Sequence, residues 1–340
     1  MSDERWMRAA LEEGQKGLGL TAPNPPVGAV LVRNGEIIGR GWHQKAGHAH
    51  AEREAIADAR ARNAKIAGSE IFVTLEPCST QGRTGACTSA MLQESIARVV
   101  WSCRDPNPTN QGKARSVLES AGVEVSEHVL ESEGHVLIRG FRSVIERKRP
   151  WVIAKVGASL DGRLTRPPGE PTWLTSTQSR ADVQNLRKEA DAILTSGVTA
   201  RIDNPRLTYR GSCKDKQPPL RIVLSSQHQG GLSSDSHLLR ESNNQALFFS
   251  ESPRQVFQML AERGVQIVLV EAGGTLLGSL LDENLVDEWV SYVSPLVTGG
   301  FDPVTKGDNR CELSERLTLS KVSYHQIGND FRVRGLLNSP

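Results

Sequence analysis

His50-Ala51-Glu52, followed by Glu76-Pro77-Cys78-Ser79-Thr80-Gln81-Gly82-Arg83-Thr84-Gly85-Ala86-Cys87, decides the fold of the first half of this 340-residue chain. The pattern predicts His50 at a helix start, Cys78 just after a strand and Cys87 at the start of the next helix. One imidazole and two thiolates are the ligand set of a zinc site whose fourth position is left for water. The thiolate charges offset part of the metal's charge, while the metal still acidifies its water. Glu52 lies two residues beyond His50, placed to take that water's proton and hand it to a leaving group. The competing reading is a structural zinc knot, which needs a fourth protein ligand, or two unrelated thiols. Glu52 beside His50 and the Pro77-Cys78 step argue against it.

Around this core the first half alternates strands and helices. Strands are predicted at 27–32, 37–42, 71–75, 99–102 and 123–129, with Asn34-Gly35 as a two-residue hairpin turn. Helices are predicted at 52–63, 86–97, 113–120 and 131–146. That order implies a sheet sandwiched between helices. Arg147-Lys148-Arg149-Pro150 is a charged, proline-ended joint. Beyond it strands are predicted at 151–156, 192–195, 220–224, 246–249, 266–271 and 288–293, and helices at 177–190, 253–263 and 275–281. The expected division is a domain over 1–146 and a second over 151–340, both α/β.

Composition narrows the function. Hydrophobic residues make up 38 % and aromatics 5 %, which suits aliphatic α/β cores. The 41 basic and 39 acidic residues leave a net charge of +2, giving no electrostatic reason for a nucleic-acid partner. The opening MSDERWMRAALEEG is charged, without an apolar signal core, and no run is long enough to span a bilayer. The expectation is a cytoplasmic protein with no membrane partner. Cys103, Cys213 and Cys311 are isolated and read as ordinary free thiols.

The H-x-E and P-C pattern is that of the zinc deaminases, although their cysteines are commonly two residues apart and eight intervene here. The lengthened loop resembles that of the bifunctional riboflavin-biosynthesis deaminase–reductase family, whose usual form is PCSHxGRTPPC. Pro23-Asn24-Pro25-Pro26-Val27-Gly28, Gly41-Trp42-His43 and Asp105-Pro106-Asn107-Pro108 extend the likeness. It implies a cytidine-deaminase-like three-layer α/β/α domain that deaminates 2,5-diamino-6-(5-phosphoribosylamino)pyrimidin-4-one. It also implies that Asn24 hydrogen-bonds the pyrimidine, the other reading being a proline-flanked turn. This chain departs from the family at Thr80, where a histidine is usual, at Gly85-Ala86 for paired prolines, and at Thr109-Asn110-Gln111-Gly112 for a glycine-rich run.

In the second half, Lys155-Val156-Gly157-Ala158-Ser159-Leu160-Asp161-Gly162 sets small residues behind a strand, where backbone can approach a ligand. Gly273-Gly274 stands between strand and helix, a phosphate site or simple turn chemistry. Together with Trp173-Leu174-Thr175-Ser176, Ile193-Leu194-Thr195-Ser196-Gly197, Asp203-Asn204-Pro205-Arg206-Leu207-Thr208 and Glu271-Ala272-Gly273-Gly274, they resemble the family's reductase half. That likeness implies a dihydrofolate-reductase-like α/β fold and NADPH. Gly157, Trp173, Thr199, Asp203, Ser226, Gly273 and Gly274 would contact the nucleotide. Arg187, Leu207, Arg210 and Glu271 would contact substrate, Arg187 alternatively being an exposed helix charge. Pro171 stands where the family commonly has a substrate-touching serine, and it offers neither hydroxyl nor N–H. The implied whole is a zinc deaminase and NADPH-dependent reductase acting in sequence on a phosphoribosyl pyrimidine, homo-oligomeric as a dimer through the reductase half. The alternative keeps the deaminase on a related pyrimidine and leaves the second half nucleotide-binding or structural. A nucleic-acid-editing deaminase is disfavoured by the balanced charge and few aromatics.

Overall fold

A computed structural model describes residues 3–80, 85–164, 173–240, 246–299, 303–306 and 317–337. Pro171, Pro167-Pro168, Cys311 and residues 81–84 of the inter-cysteine loop lie outside the described residues. The chain forms two compact units, Met1–Lys148 and Arg149–Pro340.

The first unit runs α1 (Asp3–Gln15), β1 (Gly28–Arg33), β2 (Glu36–Trp42), α2 (Ala51–Ala61), β3 (Glu70–Leu75), α3 (Cys87–Gln93), β4 (Arg98–Cys103), α4 (Lys113–Ser120), β5 (Glu124–Ser126), α5 (Glu131–Leu137) and α6 (Arg139–Arg147). Its sheet has the order β2-β1-β3-β4-β5. The β1–β2 and β1–β3 pairs are antiparallel, whereas β3–β4 and β4–β5 are parallel. The two-residue period of β1 divides the core. Ala29 and Leu31 pack with Ala51, Ala55 and Ala59 of α2, while Val30 and Val32 pack with Trp6, Met7, Ala10 and Leu11 of α1. Both faces are covered, giving three layers.

Three readings need correction. The helix α1 was not foreseen, although its buried Trp6, Met7, Ala10 and Leu11 follow a helical stripe. The helix expected at 131–146 is broken at Ile138, which has φ −96° and ψ 15°. The helix expected at 86–97 stops at Gln93, because Ser95 turns into the left-handed region.

The second unit runs β6 (Trp151–Ser159), α7 (Thr177–Glu189), β7 (Ala192–Ser196), α8 (Gly197–Asp203), β8 (Leu220–Leu224), a 3-10 turn (His228–Gly231), α9 (His237–Arg240), β9 (Leu247–Phe249), α10 (Pro253–Glu262), β10 (Ile267–Val270), α11 (Gly274–Asp282), β11 (Glu288–Ser294), β12 (Ser320–Ile327) and β13 (Asp330–Leu336). The strand order is β12-β13-β11-β6-β10-β7-β8-β9. The six strands from β11 to β9 are mutually parallel, and β13 and β12 add antiparallel at one edge. Val152 and Ala154 point to one core and Trp151 and Ile153 to the other, as expected of a strand buried on both faces. Arg149 is anchored within this unit by a two-pronged pair with Asp287, at 2.6 and 2.8 Å.

Small residues let α2 lie directly on β2. A methyl group at Gly41 would sit 2.3 Å from the Ala51 oxygen and 2.3 Å from the Ala55 nitrogen, and one at Gly39 would sit 2.3 Å from the Ala55 oxygen. Since α2 begins beside His50, this contact fixes the depth of the site. Gly41→Ala is expected to destabilise the first unit by about 1–3 kcal/mol, the usual cost of overpacking. Urea titration followed by hydrogen exchange of the β1 and β2 amides checks this, and an unchanged midpoint would contradict it.

Candidate active sites

The metal-ligand candidates meet where three chain ends converge. Cys78 follows β3, Cys87 opens α3, and His50 is the residue before α2, with extended φ −75° and ψ 160°. One imidazole Nδ1 and the two Sγ atoms lie within 4.8 Å of one another. His50 Nδ1 is 3.6 Å from Cys78 Sγ and 3.3 Å from Cys87 Sγ, so Nδ1 is the nitrogen that faces both sulfurs. The cysteine segment is closed by its own backbone. Cys87 N–H donates to the Cys78 carbonyl at 3.0 Å and lies 3.4 Å from Cys78 Sγ, an N–H aimed at sulfur that favours a thiolate.

The protonation states fit a metal. The Cys78 thiol is held down to about 4, first by a hydrogen bond from Cys87 and then, against burial, by His50. Cys87 is pushed up by that same shared proton and by burial, and His50 is raised by its bond to Cys78. These opposed shifts are what three close, partly buried donor atoms produce when no cation balances them. Among the described residues the group numbers three, which leaves a zinc coordination position open.

A cavity of about 230 Å³ reaches this point, lined by Asn24, Pro25, Val27, His43, His50, Ala51, Glu52, Leu75, Glu76, Cys78, Asp105, Asn107, Asn110 and Phe141. Glu52 is 3 % exposed. Burial pushes its carboxyl above the ordinary range, opposed by the neighbouring His50. A bound cation pulls in His50's direction.

Asn24 is held by His43, a residue to which the sequence assigned no role. His43 Nδ1 is 2.9 Å from the Ala49 carbonyl, which can only accept, so Nδ1 carries the proton and Nε2 is an acceptor. Asn24 Nδ2 lies 3.0 Å from that Nε2, which fixes the orientation of the amide. Burial lowers the His43 pKa, in keeping with a neutral ring.

In the second unit most candidates gather beyond the carboxyl ends of parallel strands, where open α/β sheets bind ligands. Thr199 follows β7, Ser226 follows β8, and Glu271, Gly273 and Gly274 follow β10. Gly273 N–H donates to Thr199 Oγ1 at 3.1 Å. Gly273 is open to a ligand, its nearest neighbour being that oxygen. A methyl group on Gly274 would lie 2.5 Å from the Pro303 oxygen, so its smallness serves packing. Gly157 is in β6, with Thr175 against it. Trp173 is 63 % exposed beneath the Arg180 guanidinium at 5.0 Å.

Arg187 is buried, contrary to the reading of an exposed helix charge. Its Nε and one terminal nitrogen bind Glu271 at 2.7 and 3.1 Å, and the other terminal nitrogen donates to the Thr208 carbonyl at 2.8 Å. Lys155 Nζ reaches the same carboxylate at 3.2 Å. Lys155 was quoted in its motif without a role, and its signal was a lysine inside an apolar strand. Leu207 has its side chain in the core and φ +50°, which leaves only main chain to meet a ligand. Arg210 and Asp203 are exposed, and Arg210 N–H donates to Gln184.

A three-donor centre with a buried carboxylate in the first unit, and a second α/β unit with glycine turns and a charged cluster at its strand ends, fit the class of a zinc-dependent deaminase joined to a reductase. The family described as "Cytidine and deoxycytidylate deaminase zinc-binding region" matches residues 1–103, and "RibD C-terminal domain" matches residues 150–333. The chain is 38 % identical to the riboflavin biosynthesis protein RibD of Escherichia coli K12, over 88 % of this chain and 89 % of that protein. It is 33 % identical to RibD of Haemophilus influenzae, over 96 % and 95 %. The solved Acinetobacter baumannii RibD superposes with a TM-score of 0.89 at 31 % identity, covering 99 % of each chain. A Thermotoga maritima structure described as a diaminohydroxyphosphoribosylaminopyrimidine deaminase/5-amino-6-(5-phosphoribosylamino)uracil reductase gives 0.87 at 31 % identity, covering 98 % of each.

The chain belongs to the RibD family, the bifunctional deaminases and reductases of riboflavin biosynthesis. The units have the cytidine-deaminase-like and dihydrofolate-reductase-like folds, and the cofactors are zinc and NADPH.

The Glu271 cluster has a pH signature. Against burial, Lys155 and Arg187 hold the carboxyl at about 2, below its ordinary 4.5. The stabilisation is therefore complete above about 4.5 and is lost as the pH falls towards 2. Carbon-detected NMR titration of Glu271 is expected to give a midpoint near 2, and a midpoint at or above 4.5 would break the cluster assignment.

Proposed function

We propose that residues 1–146 deaminate 2,5-diamino-6-(5-phosphoribosylamino)pyrimidin-4-one and that residues 151–340 then reduce the ribosyl group to ribityl with NADPH. His50, Cys78 and Cys87 hold the zinc. The metal supplies the Lewis acidity that makes water nucleophilic at neutral pH. Glu52 accepts the proton of the attacking water on its carboxylate and returns it to the departing amine as ammonia forms. Its burial supports this, because a carboxylate whose pKa is shifted upwards takes the water's proton more readily. Asn24, oriented by His43, hydrogen-bonds the pyrimidine. The observation that carries this reading is the meeting of three soft and borderline donors beside a cavity lined by His50, Cys78 and Glu52.

In the second unit Gly157, Trp173, Thr199, Asp203, Ser226, Gly273 and Gly274 bind the nucleotide. The Thr199–Gly273 hydrogen bond at the start of α11 supports that placement. Arg187, Arg210, Glu271 and the main chain at Leu207 bind the substrate. Arg187 and Glu271 orient one another, and Lys155 adds a cationic donor beside the reacting ribosyl end. The protein's part in reduction is orientation, while the hydride belongs to the cofactor.

The enzyme works in the cytoplasm as a homodimer through its reductase half. Among the described residues no helix is long and apolar enough to cross a membrane. Tyr324 and Phe331 are 73 % and 54 % exposed, and the β12–β13 register puts them on one face, which supports self-association there.

Product identification by mass spectrometry tests the reading. Without NADPH the deaminated ribosyl compound is expected, and with NADPH the ribityl compound, whereas unchanged substrate would contradict it. Glu52→Gln is expected to keep its zinc and lose deamination by about two orders of magnitude or more. Near-normal turnover would remove Glu52 from the mechanism.

A further inference from the structure

Glu76 precedes the Pro77-Cys78 step and has no part in the chemistry above. It is 3 % exposed, and its own N–H donates to the Cys103 carbonyl at 2.9 Å, which fixes it where β3 and β4 end. Its carboxylate faces two main-chain donors. Oε2 accepts from Asp105 N–H and Oε1 from Ala114 N–H, each at 3.3 Å. Asp105 opens the connection out of β4, and Ala114 lies in the first turn of α4, where helix N–H groups lack intrahelical partners. One carboxylate therefore closes both ends of the 105–114 segment.

Asp105, Asn107 and Asn110 of that segment line the deaminase cavity. The Asp105 carboxylate ties the other two to it. Asp105 accepts from Asn107 N–H at 2.8 Å and from Asn110 Nδ2 at 2.9 Å. Asn110 Oδ1 in turn accepts from Thr80 Oγ1 at 2.9 Å, which joins the segment to the inter-cysteine loop. Two positions where this chain departs from its family, thirty residues apart, are thus in direct contact.

We propose that Glu76 is a positioning residue of the deaminase, stapling the 105–114 segment over the cavity so that its amide and carboxylate groups meet the part of the substrate that does not react. The proposal rests on the deaminase reading. It depends on two acceptor oxygens, because both partners are N–H donors. A glutamine offers one oxygen and turns an NH2 towards the other donor, so it releases one end of the staple.

The test uses the zinc-loaded full chain as wild type, Glu76→Gln and Asn110→Ala. In Glu76→Gln the Michaelis constant for the phosphoribosyl diaminopyrimidinone is expected to rise about tenfold while kcat changes less than about threefold, the pattern of lost uniform binding. Zinc content by elemental analysis is expected to stay at the wild-type level. Asn110→Ala, which leaves the buried staple intact, is expected to raise the constant by a smaller factor. Independently of turnover, hydrogen exchange in the 105–114 segment of Glu76→Gln is expected to quicken by about tenfold or more. An unchanged Michaelis constant, a fall confined to kcat, loss of zinc from Glu76→Gln, or unchanged exchange would each overturn the proposal. No deamination by the wild type, with exchange quickened as expected, would instead refute the deaminase reading and leave the staple standing.

Discussion

Two sulfurs and one imidazole nitrogen close to mutual contact are costly to assemble without a cation, since each is best solvated or protonated apart. The first unit is organised around holding them together. The parallel pair β3–β4 sets Cys78 at its end, the Cys87 N–H to Cys78 carbonyl bond turns the chain back, and α2 brings His50 over them. The helix can come that close only because Gly39 and Gly41 present no side chain to it. Cys78 is held down and Cys87 and His50 are pushed up by their mutual closeness, the pattern of a donor set that a cation would balance. Glu52 is buried by the same approach, as the second residue of α2, so one packing constraint both gathers the three donors and raises the neighbouring carboxyl.

A parallel logic holds in the second unit with different chemistry. Glu271 leaves β10 into a largely buried position that a lone carboxylate would not tolerate. Arg187 from α7 and Lys155 from β6 make it tolerable. Three charged groups from separate elements are thereby locked at the end of the parallel strands. The neighbouring Gly273 presents main chain, tied to Thr199 of α8. The charged cluster and the glycine turn thus lie together where β10 ends.

Much of this was readable in the residues. Glu52 stands close behind His50, and Cys78 shares a loop with Cys87, so local sequence carries each candidate motif, while His50 meets the cysteines only through the fold. The buried strands β1, β3, β6 and β10 are apolar runs with clear ends. What escaped depends on contacts remote in sequence or on weak patterning. The edge strand β12 and its neighbour β13 have few buried side chains, so no apolar alternation marks them. Lys155 and Glu271 are 116 positions apart and acquire meaning only as a pair. His43 and Glu76 were quoted as letters of motifs, yet their work is to hold Asn24 and a loop that no spacing rule connects to them. The two glycines Gly273 and Gly274 look alike in sequence, and only packing against Pro303 separates them.

The central claim is an open, three-ligand zinc centre made by His50, Cys78 and Cys87. X-ray absorption at the zinc edge of the purified chain reads it most directly. Two sulfurs at about 2.3 Å with two nitrogen or oxygen neighbours at about 2.0–2.1 Å are the expected shell. Three or more sulfurs, or none, would contradict it.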